Sequence, residues 1–174
     1  MDSARPQTGM IDRRLIRPMQ NPSATARQIG KRTDRTGEHV KLTGSCACGS
    51  VQFECGSLTG PIAWCQCPTC QNVHGATCVT TARANRSSVR WTKGPELLRG
   101  YESSPGKHRH FCSVCGTHLM AEWSHHDTVI LRIGSVDGGA DETPTVHIGT
   151  GHDYSWLSDH GVPRVPEGAA ANPQ

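Results

Sequence analysis

The sequence predicts a mainly β protein, and three of its features support that fold class. Short runs in which apolar and polar residues alternate are rich in β-branched side chains, as is typical of strands. Nineteen glycines and eleven prolines break the chain into short segments. Nine cysteines, against two Phe and two Tyr, gather mostly in turns between these runs. We therefore expect two small packed sheets, antiparallel and supplemented by zinc-binding turns.

The length of 174 residues suits a single domain of ordinary size. Residues 1–37 hold eight basic and three acidic side chains and few apolar ones, so they are predicted to form a disordered basic leader. Residues 161–174 are rich in Gly, Pro and Ala and are predicted to form a flexible tail. The folded domain is therefore expected to span 38–160.

Composition and charge disfavour several classes of protein. Mean hydropathy is −0.51, and no apolar run approaches the roughly 18 residues that cross a bilayer. The first 30 residues lack the apolar segment of about 7–15 residues that a secretory signal needs, so a cytoplasmic location is expected. From residue 38 onward the chain holds twelve acidic and ten basic side chains, which argues against nucleic-acid binding.

The predicted elements follow one another closely along the chain. Alternating runs at 40–42 and 51–55 flank a turn at 46–49, so they predict a hairpin with two cysteines at its tip. One short helix is predicted at 71–74, where Gly75 would end it. Further strands are predicted at 62–65, 77–82, 89–92, 96–101, 108–112, 118–123, 128–134 and 145–148.

Seven of the cysteines form three clusters with the spacing of metal ligands. Close pairs in turns suit zinc because one turn can direct two sulfurs at a single ion. Disulfides are disfavoured because the cysteine count is odd and the expected compartment is reducing. The clusters are Cys46 with Cys48, Cys65 with Cys67 and Cys70, and Cys112 with Cys115.

The number of sulfurs predicts two unequal zinc sites. A structural zinc site is closed by four ligands, so the two pairs Cys46, Cys48, Cys112 and Cys115 are assigned to one ion. The remaining trio of Cys65, Cys67 and Cys70 would hold a second ion and leave one coordination position free. Catalytic zinc sites keep such a position for water or substrate, so the trio is the predicted catalytic site.

Two alternatives stand beside this partition. The trio could be closed by a fourth ligand from the same chain, with Cys78, His74 or another histidine as candidates, which would make the site purely structural. His108 and His110 share one face of a predicted strand with Cys112, so a mixed histidine and cysteine site is conceivable.

The cysteine pattern resembles the family of glutathione-dependent formaldehyde-activating enzymes, which is related to centromere protein V and has an Mss4-like β fold. The resemblance covers roughly residues 40–160. Two positions depart from the family pattern: Gln66 stands where the family often has His, and Gln71 where a basic residue usually follows. The matching stretches are Gly44–Val51, Cys65–Cys70, Ser103–Ser104, Arg109–Gly116, Gly134–Asp137, Pro144, His147–Ile148 and Trp156.

The resemblance implies a fold, an activity and a set of site residues. The first and third clusters would hold a structural zinc, and Cys65, Cys67 and Cys70 a labile or catalytic one. The implied activity is that of a carbon–sulfur lyase, in which glutathione adds to formaldehyde and forms S-(hydroxymethyl)glutathione. The implied partners are therefore a small thiol and an aldehyde.

Glutathione carries two carboxylates, so its pocket should present cations. Arg83, Arg86, Arg90 and Arg132 are candidates by residue type alone, and the sequence does not choose among them. The alternative function is a zinc-stabilised binding module, or a carrier of the thiol or its adduct, that performs no turnover. A closed fourth ligand on the trio would favour this module, whereas an exchangeable one would favour the enzyme.

Overall fold

A computed structural model describes residues 42–137, 143–157 and 161–166. Across these ranges eleven strands and one α-helix confirm the mainly β fold class. The predicted leader at 1–37 and the start of the predicted first strand lie outside the described residues. The strands are β1 Leu42–Ser45, β2 Gln52–Cys55, β3 Ala63–Cys65, β4 Val79–Asn85, β5 Val89–Lys93, β6 Leu98–Ser104, β7 Lys107–Cys112, β8 His118–Trp123, β9 Thr128–Arg132, β10 Val146–Ile148 and β11 Arg164–Val165.

The strands form two sheets of very different size. The smaller sheet is antiparallel, with the order β1-β2-β5, and β1 and β2 form the predicted hairpin. The larger sheet has the order β11-β10-β3-β4-β9-β8-β7-β6. It is antiparallel except at one edge, where β10 runs parallel to both β3 and β11. The prediction of small antiparallel sheets therefore holds for most of the fold, and the parallel edge is the difference.

The segment beyond residue 160 contributes to the larger sheet. Strand β11, Arg164–Val165, lies inside the predicted tail at 161–174 and pairs with β10. Two residues carry too little alternation to be recognised as a strand from sequence, and their parallel pairing with β10 depends on where the larger sheet ends. Strand pairing thus extends beyond residue 160.

The single α-helix among the described residues is α1, Pro68–His74. It begins three residues earlier than predicted because Cys67 caps it and accepts a hydrogen bond from the Cys70 N–H. Pro68 occupies the first turn, where no intrahelical donor is required. Gly75 ends the helix in the left-handed conformation, with φ of 56°, as the sequence predicted. No helix of the described chain is long and apolar enough to span a bilayer.

The main hydrophobic core lies between the two sheets. The smaller sheet contributes Phe53 and Cys55, and the larger sheet contributes Leu119, Val129 and Leu131, all of them fully or almost fully buried. Successive side chains of a strand point to opposite faces, so Ile130 and Arg132, which alternate with Val129 and Leu131 in β9, lie on the far side of the larger sheet. That far side carries the functional site described below.

Gly44 in β1 occupies a position that has no room for a side chain. It lies opposite Phe53 in the β1–β2 ladder, and a Cβ atom there would overlap the Phe53 ring and lie 2.7 Å from the Ser135 carbonyl oxygen. Gly44→Ala is therefore expected to destabilise the protein by about 1–3 kcal/mol through overpacking. The measurement is the midpoint of urea unfolding with zinc present. Gly60→Ala is the control, since nothing lies within 4 Å of its added Cβ, and equal midpoints for the two variants would contradict the expectation.

Candidate functional site

The first and third cysteine clusters meet between the two sheets. Cys46 and Cys48 follow β1, whereas Cys112 ends β7 and Cys115 follows it. Their four sulfur atoms all lie within 4.8 Å of one another. The Cys46 and Cys48 sulfurs are 3.4 Å apart, and the Cys48 and Cys112 sulfurs 3.9 Å. The predicted grouping of these four residues thus exists in the folded chain.

Backbone groups in the two turns support these sulfurs. Gly49 and Gly116 follow the second cysteine of each pair and adopt φ of 69° and 72°, a conformation that favours glycine. The Val51 N–H donates a hydrogen bond of 3.2 Å to the Cys46 sulfur. Burial nevertheless raises the pKa of Cys46 to about 11, so a nearby cation is needed to keep this group a thiolate at neutral pH.

The spacing of the four sulfurs fits a zinc ion. Zinc–sulfur bonds of about 2.3 Å in a tetrahedron place neighbouring sulfurs about 3.8 Å apart. The observed separations of 3.4 and 3.9 Å lie close to that value. Four cysteine sulfurs that lie so close to one another are the ligand set of a closed structural zinc site.

The second cluster gathers Cys65, Cys67 and Cys70 at one end of the larger sheet. Cys65 ends β3, Cys67 caps α1, and Cys70 lies in the first turn of that helix. The Cys65 sulfur lies 3.6 Å from that of Cys67 and 3.4 Å from that of Cys70. These separations also fit a metal ion bound by three thiolates.

The described residues supply three ligands to this cluster and no fourth. Among residues 42–137, 143–157 and 161–166, no further histidine, cysteine or carboxylate joins the group of three sulfurs. His74 instead packs its ring against that of His118, with centroids 4.8 Å apart. Cys78 is half-buried outside the group, and burial raises the pKa of its thiol to about 11. Neither predicted candidate for closure therefore takes part.

A cavity of about 550 Å³ opens beside these three sulfurs. It lies on the face of the larger sheet that points away from the main core. The cavity is lined in part by the small side chains of Ala63, Thr81 and Ala121. Trp123 and Ile130 add an apolar wall. A site of this size accommodates a small organic molecule, and its apolar wall reduces the contact of a bound ligand with water.

Cations converge on the cavity from neighbouring strands. Lys107 and Arg109 of β7 and Arg132 of β9 line it together with Arg83 of β4. Arg109 is 2% exposed and Arg132 5%, values that are unusual for arginine. The residues described as lining the cavity include no Asp or Glu. Burying several positive charges without carboxylates is unfavourable, so the cavity is electrostatically prepared for an anion.

Individual contacts show how these cations are held. Arg109 Nη1 donates to the Cys70 sulfur at 3.7 Å, and Arg109 Nε donates to the Ser103 hydroxyl at 2.9 Å. Arg132 Nε is buried and has no hydrogen-bond partner among the described residues. Lys107 Nζ lies 4.0 Å from the centre of the Trp123 ring. Burial, together with the charge of Arg109, lowers the pKa of Lys107.

The three thiols share their protons unequally. Hydrogen bonds from Cys65 and Cys67, aided by the positive charges of Arg132 and Arg109, lower the pKa of Cys70 well below its ordinary range. The corresponding contacts with Cys67 and Cys70 raise the pKa of Cys65. The cluster therefore favours at least one thiolate at neutral pH.

The structure separates the arginines that the sequence named as candidates. Arg83 and Arg132 line the cavity. Arg90 instead forms an ion pair with Glu54 at 2.7 Å, and Arg86 pairs with Glu122. Lys107 and Arg109 were not among the named candidates. They lie two residues apart on β7, which begins one residue before the predicted strand at 108–112, and this spacing, which places them on a common face, is the signal that could have identified them.

The conceivable mixed site of His108, His110 and Cys112 does not form among the described residues. His110 Nε2 lies 2.8 Å from the Glu122 carboxylate. Glu122 lies on β8, which pairs with β7, so the His110 side chain interacts with a carboxylate of the neighbouring strand. Cys112 is committed to the four-sulfur group.

Residues 41–152 match the model of a protein family described as glutathione-dependent formaldehyde-activating enzyme. The matched range contains all seven clustered cysteines and the cavity cations. Among solved structures, the chain is similar to a crystal structure of a Rhodobacter sphaeroides protein, with 19% sequence identity and a TM-score of 0.48. That similarity covers 71% of this chain and 99% of the other.

Proposed function

Because the chain belongs to the family of glutathione-dependent formaldehyde-activating enzymes, we propose that it is a zinc-dependent carbon–sulfur lyase. Its reaction would be the addition of glutathione to formaldehyde or a related aldehyde, which gives S-(hydroxymethyl)glutathione. The observation that carries this proposal is the three-sulfur cluster, which faces a cation-lined cavity and has no fourth ligand among the described residues.

In this proposal the two cysteine clusters hold zinc for different purposes. Cys46, Cys48, Cys112 and Cys115 would hold a structural ion, and Cys65, Cys67 and Cys70 a second ion with one position free. When bound there, zinc supplies the positive charge that lowers the pKa of an incoming thiol from its ordinary value near ~8.5. Arg109 and Arg132 offset the negative charge that the three thiolates bring to the site.

The cavity residues would bind and orient the substrate. Lys107 and Arg132 present positive charge to the carboxylates of glutathione, and the apolar wall at Trp123 and Ile130 excludes water. The thiolate sulfur then bonds to the aldehyde carbon while the carbonyl π electrons move to oxygen. Cations in the cavity stabilise the alkoxide that forms, which afterwards takes up a proton from solvent.

Charge balance supports an acidic thiol in this cavity. A zinc ion with three thiolates carries a net charge of −1, whereas Lys107, Arg109 and Arg132 bring three positive charges to the cavity. Glutathione bound as its thiolate has two carboxylates and one ammonium, so it brings a further net charge of −2. The occupied cavity would then be close to neutral, which lowers the free energy of keeping these groups buried.

A carrier of the thiol or its adduct is the second candidate function. The described cavity lining contains neither a carboxylate nor a histidine that could act as a general base. Formaldehyde and thiols also combine without a catalyst, so binding alone would be a coherent function. The kinetic measurement below separates the carrier from the enzyme.

The decisive experiment compares the rate of adduct formation with the spectrum of the cobalt-substituted protein. We expect exchange between formaldehyde and its glutathione adduct to exceed the uncatalysed rate and to saturate with glutathione. Glutathione should also add sulfur-to-cobalt charge-transfer absorption, whereas glutathione diethyl ester, which lacks the free carboxylates, should do so only at higher concentration. The new absorption without a rate above background would establish the carrier instead. If neither the rate enhancement nor the new absorption appeared, both candidate functions would be overturned.

A further inference from the structure

Gln66 stands between two cysteines of the open cluster and is completely buried. Its backbone N–H donates to the Ile148 carbonyl at 2.9 Å, next to the parallel pairing of β3 with β10. Its side-chain Nε2 donates to the Asp153 carboxylate at 3.1 Å. The other side-chain atom, Oε1, is buried without a hydrogen-bond partner among the described residues. The side-chain amide is therefore oriented by Asp153.

Asp153 connects this amide to the C-terminal strand. One carboxylate oxygen accepts the Gln66 Nε2–H and also the Tyr154 N–H at 2.8 Å. The other oxygen pairs with the guanidinium of Arg164 on β11. The Asp153 side chain is only 13% exposed, so water competes weakly for these contacts. Gln66, Asp153 and Arg164 thus form a continuous polar chain, which we call the latch.

The backbone around Gly149 packs closely against the loop that carries Cys65, Cys67 and Cys70. Gly149 has φ of 71°, and a Cβ atom there would lie 2.8 Å from the Cys67 backbone nitrogen. Gln71 of α1 donates through Nε2 to the His152 carbonyl at 3.4 Å. On the other side, the Gly151 N–H donates to the Pro166 carbonyl at 3.0 Å, which ties the turn to the end of β11. The loop that carries the sulfurs is therefore braced by residues 148–157 and 161–166 as well as by its own helix.

From these contacts we propose that Asp153 and Arg164 are positioning residues that set the spacing of the Cys65, Cys67 and Cys70 sulfurs through Gln66. The cluster consists of three residues in a six-residue stretch, and a metal ion held by three ligands depends closely on their separation. Freeing the Gln66 side chain would let the Cys65–Cys67 segment move. The inference rests on the proposed function only in taking this cluster to be a metal site.

The two clusters provide an internal reference for the test. Zinc release from the full chain into a chromogenic chelator should show two phases in the wild type, a faster one from the three-sulfur cluster and a slower one from the four-sulfur cluster. In Asp153→Asn and in Arg164→Gln the faster phase should accelerate by about 10–100-fold, the usual effect of removing a residue that supports a metal ligand. The slower phase should not change.

Two further variants make the result specific. Glu54→Gln removes the exposed ion pair with Arg90 on the smaller sheet and should leave both phases as in the wild type. Gln66→Leu keeps the buried volume and removes the amide, so it should accelerate the faster phase as much as Asp153→Asn does. The double variant Gln66→Leu with Asp153→Asn should add nothing further, because the two residues act through one contact.

The outcomes separate this inference from the proposed function. Equal acceleration of both phases in Asp153→Asn would mean general destabilisation and would overturn the latch. An unchanged faster phase in a chain that binds two zinc ions would also overturn it and leave the proposed function standing. A wild-type chain that binds a single zinc ion would remove the premise shared by both. Acceleration of the faster phase in a protein without lyase activity would support the latch and contradict the proposed enzyme.

Discussion

Cys112→Ser is expected to leave the protein largely unfolded under conditions in which the wild type is folded. Cys112 is completely buried, and its sulfur belongs to the four-sulfur group that joins the turn after β1 to the turn after β7. These turns come from different sheets, so a metal ion there links the two halves of the core. Structural zinc contributes about 10–16 kcal/mol in small domains, whereas whole domains are stable by about 5–15 kcal/mol.

The measurement is circular dichroism across a temperature range, together with zinc content. Cys78→Ser serves as the matched control because Cys78 is a partly buried cysteine outside both clusters. We expect the control to melt close to the wild type and Cys112→Ser to show little or no cooperative transition. A Cys112→Ser protein that melts like the wild type and resists chelators would refute the structural role of this cluster.

Cys70→Ser is expected to abolish adduct formation while preserving the fold. Its sulfur lies within hydrogen-bond distance of Cys65 and accepts from Arg109, so its loss removes one of three ligands and the anion that holds this guanidinium. The hydroxyl of serine is not ionised at neutral pH and is a poor zinc ligand. We expect the rate to fall by at least about a hundredfold, to the uncatalysed background.

The fold should survive this change because the open cluster is separate from the main core. Cys65, Cys70 and Val79 form their own small buried group, apart from the one that contains Phe53 and Leu131. The melting temperature of Cys70→Ser should therefore lie much closer to the wild type than that of Cys112→Ser, with one zinc ion retained. Full activity in Cys70→Ser would exclude this cluster as the site of the reaction.

Strands β2 and β8 and the three cysteine clusters were predictable because their signals are local. Alternation in the β2 and β8 segments needs only four to six neighbouring residues, and it located those strands to within one residue. The two ends of helix α1 show how far local sequence signals can predict an element's bounds. Gly75 marked the end of α1 correctly, whereas a cysteine that caps a helix is not among the usual cap residues, and the start was therefore placed too late.

The latch and the parallel edge could not be found in the same way. Asp153 lies 87 residues after Gln66, and nothing in the residues around either one indicates the other. Strand β11 has two residues and no periodicity, and its pairing with β10 depends on where the larger sheet ends. Short parallel strands at an edge are identified only by their neighbours.

The sequence by itself predicted that seven sulfurs divide into a group of four and a group of three, since fixed spacing within turns defines three clusters and a closed zinc site needs four ligands. The tertiary structure alone decided what surrounds the group of three. Lys107, Arg109 and Arg132 come from β7 and β9, which are separated from Cys70 by 37 residues or more in the chain. Side chains so distant meet only when β-sheet pairing brings their strands side by side, and that pairing is a property of the whole fold.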